Sequence, residues 1–125
     1  MTLAEYLETA ARSPWQPAEH DCSAWPARWA GIALPPYSTD DEGAALTADA
    51  GSLLAIWERC IGKLLPRVEE PLAGDVGIIS AFGREGRTEV GAIFTGTRWA
   101  FVTAKGIAAV SATPLAIWRV ECPRP

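Results

Sequence analysis

At 125 residues the chain is long enough for one hydrophobic core and too short for two ordinary domains, so residues 1–125 read as a single domain. Apolar residues make up 49% and charged residues 21%, a normal globular balance, and the net charge of −4 with no basic cluster excludes a nucleic-acid footprint. No apolar run approaches the roughly 20 residues that span a bilayer, so no membrane partner is expected.

The opening "MTLAEYLETAARS" carries Glu5 and Glu8 where a secretory signal carries positive charge, so no signal peptide is expected. Thr2 to about Arg12 is predicted helical: Thr2 and Glu5 form a capping box, and Leu3, Tyr6, Leu7 and Ala10 make an apolar stripe. Ser13-Pro14 ends it. A second helix is predicted from Asp21, a good N-cap, to about Ala30, with Gly31 stopping it. Pro26 is tolerated only near a first turn, so this helix starts at Cys22 or slightly later. "ALPPYSTDDEG" reads as a loop. Two shorter helices follow, at about Asp41 to Thr47 and Ala50 to Cys60, the second with Leu53, Leu54, Trp57 and Ile61 on one face.

After Pro66 the period changes. "DVGIISA", "TEVGAIFT", "RWAFVT", "GIAAVSA" and "LAIWRV" are short β-rich runs separated by "FGREGR", Gly96, Lys105-Gly106 and Thr113-Pro114. Connections this short join antiparallel neighbours. Helices first and an antiparallel sheet of about five strands second make the fold class α+β.

The chemistry-bearing stretch is "SPWQPAEHDCSAWPARWAG", Ser13 to Gly31, which sets the only histidine, His20, two residues before Cys22. A thiol at a helix N-terminus gains thiolate character from the unpaired N–H groups and the macrodipole. The same N–H groups can form an oxyanion hole. A cysteine nucleophile also needs a base, and His20 is the one candidate imidazole, which makes Cys22 and His20 the candidate catalytic pair. Three cysteines (Cys22, Cys60 and Cys122) with one histidine and no C-x-x-C pair point away from zinc and imply no cofactor. They suit synthesis in a reducing cytoplasm.

"HDCSAWPARWAG", followed by "PLAGDVGII", "TEVGAIFTG" and "GIAAVSATPLAIWRV", resembles the NlpC-type cysteine peptidases and amidases of the papain-like superfamily. More narrowly it resembles a small phage and prophage family of that fold with an "HDC" helix start. The similarity runs from roughly Pro14 to Val120. Asp21, Cys22 and Ser23 match the opening of the nucleophile helix, with Ala24 in place of glycine. Gly74 and Asp75 match the opening of the first strand. The base of that family is a histidine in a "His-Val-Gly-Ile" strand, and its counterpart here is Glu89 in "EVGA", so the histidine is missing. A carboxylate of ordinary pKa about 4.3 is a poor base for a thiol of about 8.5, and a glutamate near Cys22 would raise the thiol's pKa.

Each of these residues also has a plainer role. Cys22, Trp25 and Trp29 fall at i, i+3 and i+7, so Cys22 is either a packing thiol on one stripe with the tryptophans or a partly accessible, reactive one. His20 is expected to bond the chain near the helix start, Asp21 to act as an N-cap, and Asp75 to be a turn residue at a strand start. Glu89 reads as a solvated edge charge. The six tryptophans read mainly as core, with Trp15 and Trp99 candidates to line a groove beside Cys22. Cys60 and Cys122 carry no signal beyond packing.

Two functions remain open at this level. The resemblance implies a catalytically degenerate tail-tip structural or assembly component of a phage or prophage, made in the bacterial host cytoplasm, residing in the virion tail and bound to other phage tail proteins. The alternative is an active cysteine amidase or peptidase that cleaves peptidoglycan stem peptides with Cys22 as nucleophile.

Overall fold

The computed structural model describes residues 1–83 and 86–120, so Cys122 and the Arg84-Glu85 portion of the "FGREGR" turn lie outside the described residues. Four helices, α1 (Leu3–Ala11), α2 (Ala24–Ala30), α3 (Asp40–Ala50) and α4 (Leu53–Ile61), precede six strands. The strands are β1 (Arg67–Val68), β2 (Val76–Gly83), β3 (Gly86–Phe94), β4 (Trp99–Thr103), β5 (Gly106–Val110) and β6 (Ala116–Trp118). All pairings are antiparallel, in the order β1-β6-β2-β3-β4-β5. The class is α+β, with helices preceding the antiparallel sheet.

The helix ends follow their side chains. Thr2 and Glu5 form the expected reciprocal capping box on α1, and Thr39 and Glu42 repeat it on α3. Gly51, at φ 99°, terminates α3, and the Ser52 hydroxyl then accepts from Ala55 N to open α4. Two predicted boundaries shift accordingly, since α3 runs on to Ala50 and α4 begins at Leu53. The helix α2 starts at Ala24, slightly later than Cys22 as Pro26 requires, with Ser23 rather than Asp21 at the N-cap position, and Pro26 falls in the first turn where its missing N–H costs nothing. Cys22 therefore sits in the turn ahead of the helix and does not share a stripe with Trp25 and Trp29. Those two indoles belong to the main core, whereas Cys22 packs against a second cluster.

The expected five strands become six. The added strand β1 is only two residues long, too short to show a period. It is held by pairing with β6 and by the Arg67 guanidinium, 5.2 Å from the centre of the Trp118 ring.

Side chains alternate between the two faces of the sheet and build two cores. On the helix side, Val76, Ile78, Ile93 and Trp118 pack with Trp25, Trp29 and Trp57. On the opposite side, Ile79, Val90, Ala92, Trp99, Phe101 and Ile117 form the second cluster, to which no helix contributes a buried residue. That side is closed mainly by the sheet's own side chains, with Cys22 and Ala112 packed against it. Trp99 of β4 reaches across β3 to Gly77 of β2, where a Cβ would lie 2.9 Å from the indole ring.

The ends of the sheet are clamped at Asp75, which is 1% exposed. Its carboxylate accepts from Arg119 Nε at 3.0 and 3.2 Å, from Leu72 N at 2.8 Å and from Val120 N at 3.2 Å. Arg119 also donates through Nη2 to the Glu70 carbonyl. Asp75 is thus a turn residue at a strand start, as expected, and it also ties the chain after β6 to the entrance of β2. The preceding Gly74 carbonyl accepts from Trp29 Nε1 at 2.8 Å, which seats α2 on the same turn.

Candidate functional site

A groove of about 780 Å³ lies between the α3–α4 pair and the β2–β3 hairpin. The α2 lead-in brings Asp21, Cys22 and Ser23 to its wall, α3 and α4 supply Asp40, Leu53 and Ile56, and the hairpin supplies Ser80, Arg87 and Glu89. Trp15 lines the groove as expected, with Nε1 donating to Asp40 Oδ1 at 3.1 Å and Oδ2 at 3.2 Å. Trp99 does not line it. That indole is 2% exposed in the second core, on the sheet face away from the helices.

The lead-in is held by Asp21, a carboxylate that is 4% exposed. Its Oδ1 accepts from Ser23 N at 3.0 Å and Ala24 N at 2.7 Å, and its Oδ2 accepts from Ala18 N at 2.9 Å and from the Tyr37 hydroxyl. Asp21 thus caps α2 from three residues ahead of the helix, although Ser23 occupies the N-cap position and makes no side-chain bond there. Burial and the Asp21 charge together push the Tyr37 hydroxyl well above its ordinary value.

Cys22 is anchored through its backbone. Its carbonyl accepts from Gly91 N at 3.0 Å, so the lead-in lies directly against β3. The side chain is partly exposed, and the Cys22 thiol is pushed up to about 12, first by burial and then by the Asp21 charge. The expectation that the helix start would favour thiolate therefore fails for a local reason. Burial and the Asp21 charge outweigh the lowering contribution of the Cys22 N–H, and the next two N–H groups along the chain, Ser23 N and Ala24 N, are already bonded to Asp21. Ser23 N and Ala24 N are thus not free to serve as oxyanion donors at this helix start.

His20 lies in a small turn whose backbone closes on itself: Gln16 N donates to the His20 carbonyl at 2.9 Å, and His20 N to the Gln16 carbonyl at 2.7 Å. The expected bond from His20 to the chain near the helix start is not seen among the described residues, since the backbone bonds run back to Gln16. The ring's Nε2 is buried without a partner, and no hydrogen bond among the described residues joins the imidazole to the Cys22 thiol. The sequence-based pair is two residues apart in the chain but is not joined chemically.

Glu89 is not the solvated charge expected. It is half-buried and accepts from Leu54 N at 2.9 Å, holding the first turn of α4 against β3. The charges that raise the Cys22 thiol are Asp21 and, more weakly, Asp40, rather than Glu89.

Sequence reasoning missed Tyr37 and Asp40 as parts of the site, and read Ser23 only as part of the match to a helix opening. Tyr37 lies in the Pro-rich loop 16 residues from Asp21. The Ser23 hydroxyl accepts from Trp57 Nε1 at 3.2 Å, linking the lead-in to α4. A tyrosine between Pro36 and the capping box of α3 was the one local hint, because a loop pinned at both ends can aim a side chain. Among the described residues no cluster of His, Cys, Asp and Glu could hold a metal ion, and no helix is long and apolar enough to cross a membrane.

Residues 1–120 match a protein family described as a domain of unknown function, DUF6950, and the chain belongs to that family. No curated protein and no solved structure matches the chain.

Proposed function

We propose that this chain is a structural or assembly component of a phage or prophage tail, built on an NlpC-like scaffold that has lost its reaction. The observation that carries the reading is the state of Cys22. The cysteine stands at the groove beside β3, yet its thiol is held protonated by burial and by Asp21, and the facing strand offers Glu89 bonded to α4. A nucleophilic cysteine needs a base to take its proton and an acid for the leaving amine, and such help is worth about 10² to 10⁴ in rate. The resemblance of the "HDC", "GDV" and closing "AIWRV" stretches supports a tail context and makes other tail proteins the expected partners, with peptidoglycan a further one.

The test incubates purified protein with peptidoglycan or muropeptides beside Cys22→Ala, and in parallel deletes the gene from a particle-producing prophage. The reading expects both proteins to release product at background rate, and the deletion to yield incomplete tails that Cys22→Ala restores. Cleavage by wild type that vanishes in Cys22→Ala would instead make the protein a cysteine amidase or peptidase acting on stem peptides. Normal tails in the deletion would remove the assembly role.

A further inference from the structure

The sheet ends in two unlike edges. At one, β1 is two residues long and lies between Pro66 and the run Glu69-Glu70-Pro71, so prolines and charge blunt it. At the other, β5 runs Gly106-Ile107-Ala108-Ala109-Val110, with no proline, no charge and no bulge in its register with β4. That register fixes where the backbone groups point. Thr95 N donates to the Arg98 carbonyl across the β3–β4 turn, and hydrogen-bonded pairs alternate from there. Ala100 therefore bonds toward β3, while Trp99, Phe101 and Thr103 bond toward β5. Their partners Val110, Ala108 and Gly106 are engaged with β4, which leaves the N–H and C=O groups of Ile107 and Ala109 pointing out of the sheet edge. No element among the described residues pairs with those groups. The Ile107 side chain packs on the main core, Ala108 and Val110 pack on the second cluster, and Ala109 is exposed.

We propose that β5 is a self-association edge, on which β5 of a second copy pairs antiparallel about a two-fold axis that crosses the sheet plane at Ala108. In that register Ile107 of each copy lies opposite Ala109 of the other, and each such pair exchanges both of its N–H···O bonds. The occupant is a second copy because this edge is complementary to itself. Each outward residue offers a donor and an acceptor, and the same strand run in the opposite direction supplies their partners. At the axis, Ala108 of the two copies forms a pair of the non-hydrogen-bonded kind, where side chains come closest and a methyl group fits. No ionisable residue lies between Gly106 and Pro114, and the Lys105 residues of the two copies stand at opposite ends of the seam. Pairing therefore sets no like charges together. The axis keeps the helices of both copies on one face, so α1, which packs against β5, comes beside its counterpart. Association stops at two copies, because β1 is too short to offer a second edge of matching length. The arrangement does not depend on the tail assignment or on whether Cys22 is active.

Sedimentation of the full chain from low micromolar to near-millimolar concentration, with amide hydrogen exchange at both ends of that range, tests this. The expectation is a reversible monomer–dimer equilibrium that persists between about 0.1 M and 1 M salt, because the seam is uncharged. As dimer forms, the Ile107 and Ala109 amides should slow in exchange, while those of Ala108 and Val110, already bonded to β4, should change little. Ala109→Pro removes an outward N–H without touching the β4 ladder, a change that an edge strand tolerates. It should weaken the dimer by about tenfold or more, since each copy loses a donor. Ala109→Lys should also weaken it, by setting like charges on diagonal neighbours across the seam. Circular dichroism of each variant separates lost docking from lost folding, and should Ala109→Pro disturb β5, Ala109→Lys carries the test. A monomer throughout would overturn the proposal and leave this edge to a strand of another protein. A dimer in which the Ile107 and Ala109 amides exchange as fast as in the monomer would place the interface elsewhere. A dimer indifferent to both Ala109 changes, or mass growing beyond two copies, would equally overturn the two-fold seam.

Discussion

The Gly91 N–H donates to the Cys22 carbonyl at 3.0 Å, and that bond fixes how closely the α2 lead-in approaches β3. A Cβ built at Gly91 would lie 2.8 Å from the Cys22 carbonyl oxygen, from Pro26 Cγ and from Trp57 Cζ2. Gly91 therefore permits contact among lead-in, helix and strand.

Gly91→Ala should destabilise the fold by about 3 kcal/mol, the upper end for an added methyl group in a packed site, because one of the three neighbours is backbone. Urea unfolding reads this as a lowered midpoint at unchanged slope. A loss below about 1 kcal/mol would mean that α2 can lift away from β3 at little cost.

The Asp75 clamp gives a second expectation. Arg119→Met keeps the apolar stem but leaves a carboxylate that is 1% exposed with only the Leu72 and Val120 N–H groups as partners. Breaking a buried pair from one side costs about 3 kcal/mol. Because Arg119 is itself partly exposed, water can replace some of the loss, so the expected cost is about 2 kcal/mol. Hydrogen exchange should show the cost as faster opening of β1 and β6 than of β4 and β5. Uniform loss of protection would place the clamp in the global core instead.

Much of this architecture was legible before the structure. Thr2 with Glu5, and the Gly31 stop, mark helix ends through bonds between residues a few positions apart, so the chain order alone carries them. The five longer strands are legible as β-rich runs bounded by glycine, lysine-glycine and proline turn signals. What the sequence did not disclose is long-range. Asp21 with Tyr37 and Glu89 with Leu54 are joined across 16 and 35 residues through loops and element ends, where no period exists. Asp21 shows the cost of reading locally. It was legible as a cap, but a cap that takes both Ser23 N and Ala24 N leaves those two N–H groups unavailable to the thiol, while its charge opposes thiolate.

Glu89→Gln should cost about 1 kcal/mol, the size of a charged contact at a helix N-terminus, since the amide oxygen keeps the bond to Leu54 N and loses the charge. It should leave the pH dependence of Cys22 alkylation unchanged, because Asp21 and Asp40 are the charges that act on that thiol. A shift of the alkylation profile toward lower pH would place the Glu89 charge on Cys22 after all.

The Cys22 thiol itself predicts a pH signature in stability. Its proton is held to about 12 in the fold, against an ordinary value of 9.0, so the folded state binds that proton more tightly than the unfolded chain does. The stabilisation is therefore fully present below about pH 9 and is lost progressively as pH rises toward 12. Each pH unit in that window costs about 1.4 kcal/mol for one proton. Tyr37 and Cys60 are also shifted upward, so the raw stability of the wild type mixes several groups. Subtracting the stability of Cys22→Ala at each pH removes the contributions that do not depend on Cys22 and leaves the thiol with its small coupling to Tyr37. The difference should be small and constant from pH 6 to about 8, near the 1 kcal/mol expected for a deleted sulfur. Above pH 9 it should decline and then change sign, leaving Cys22→Ala the more stable protein. Guanidinium unfolding of both proteins across this range measures it, and a difference that stays flat to pH 11 would mean that the folded thiol ionises as readily as a free one.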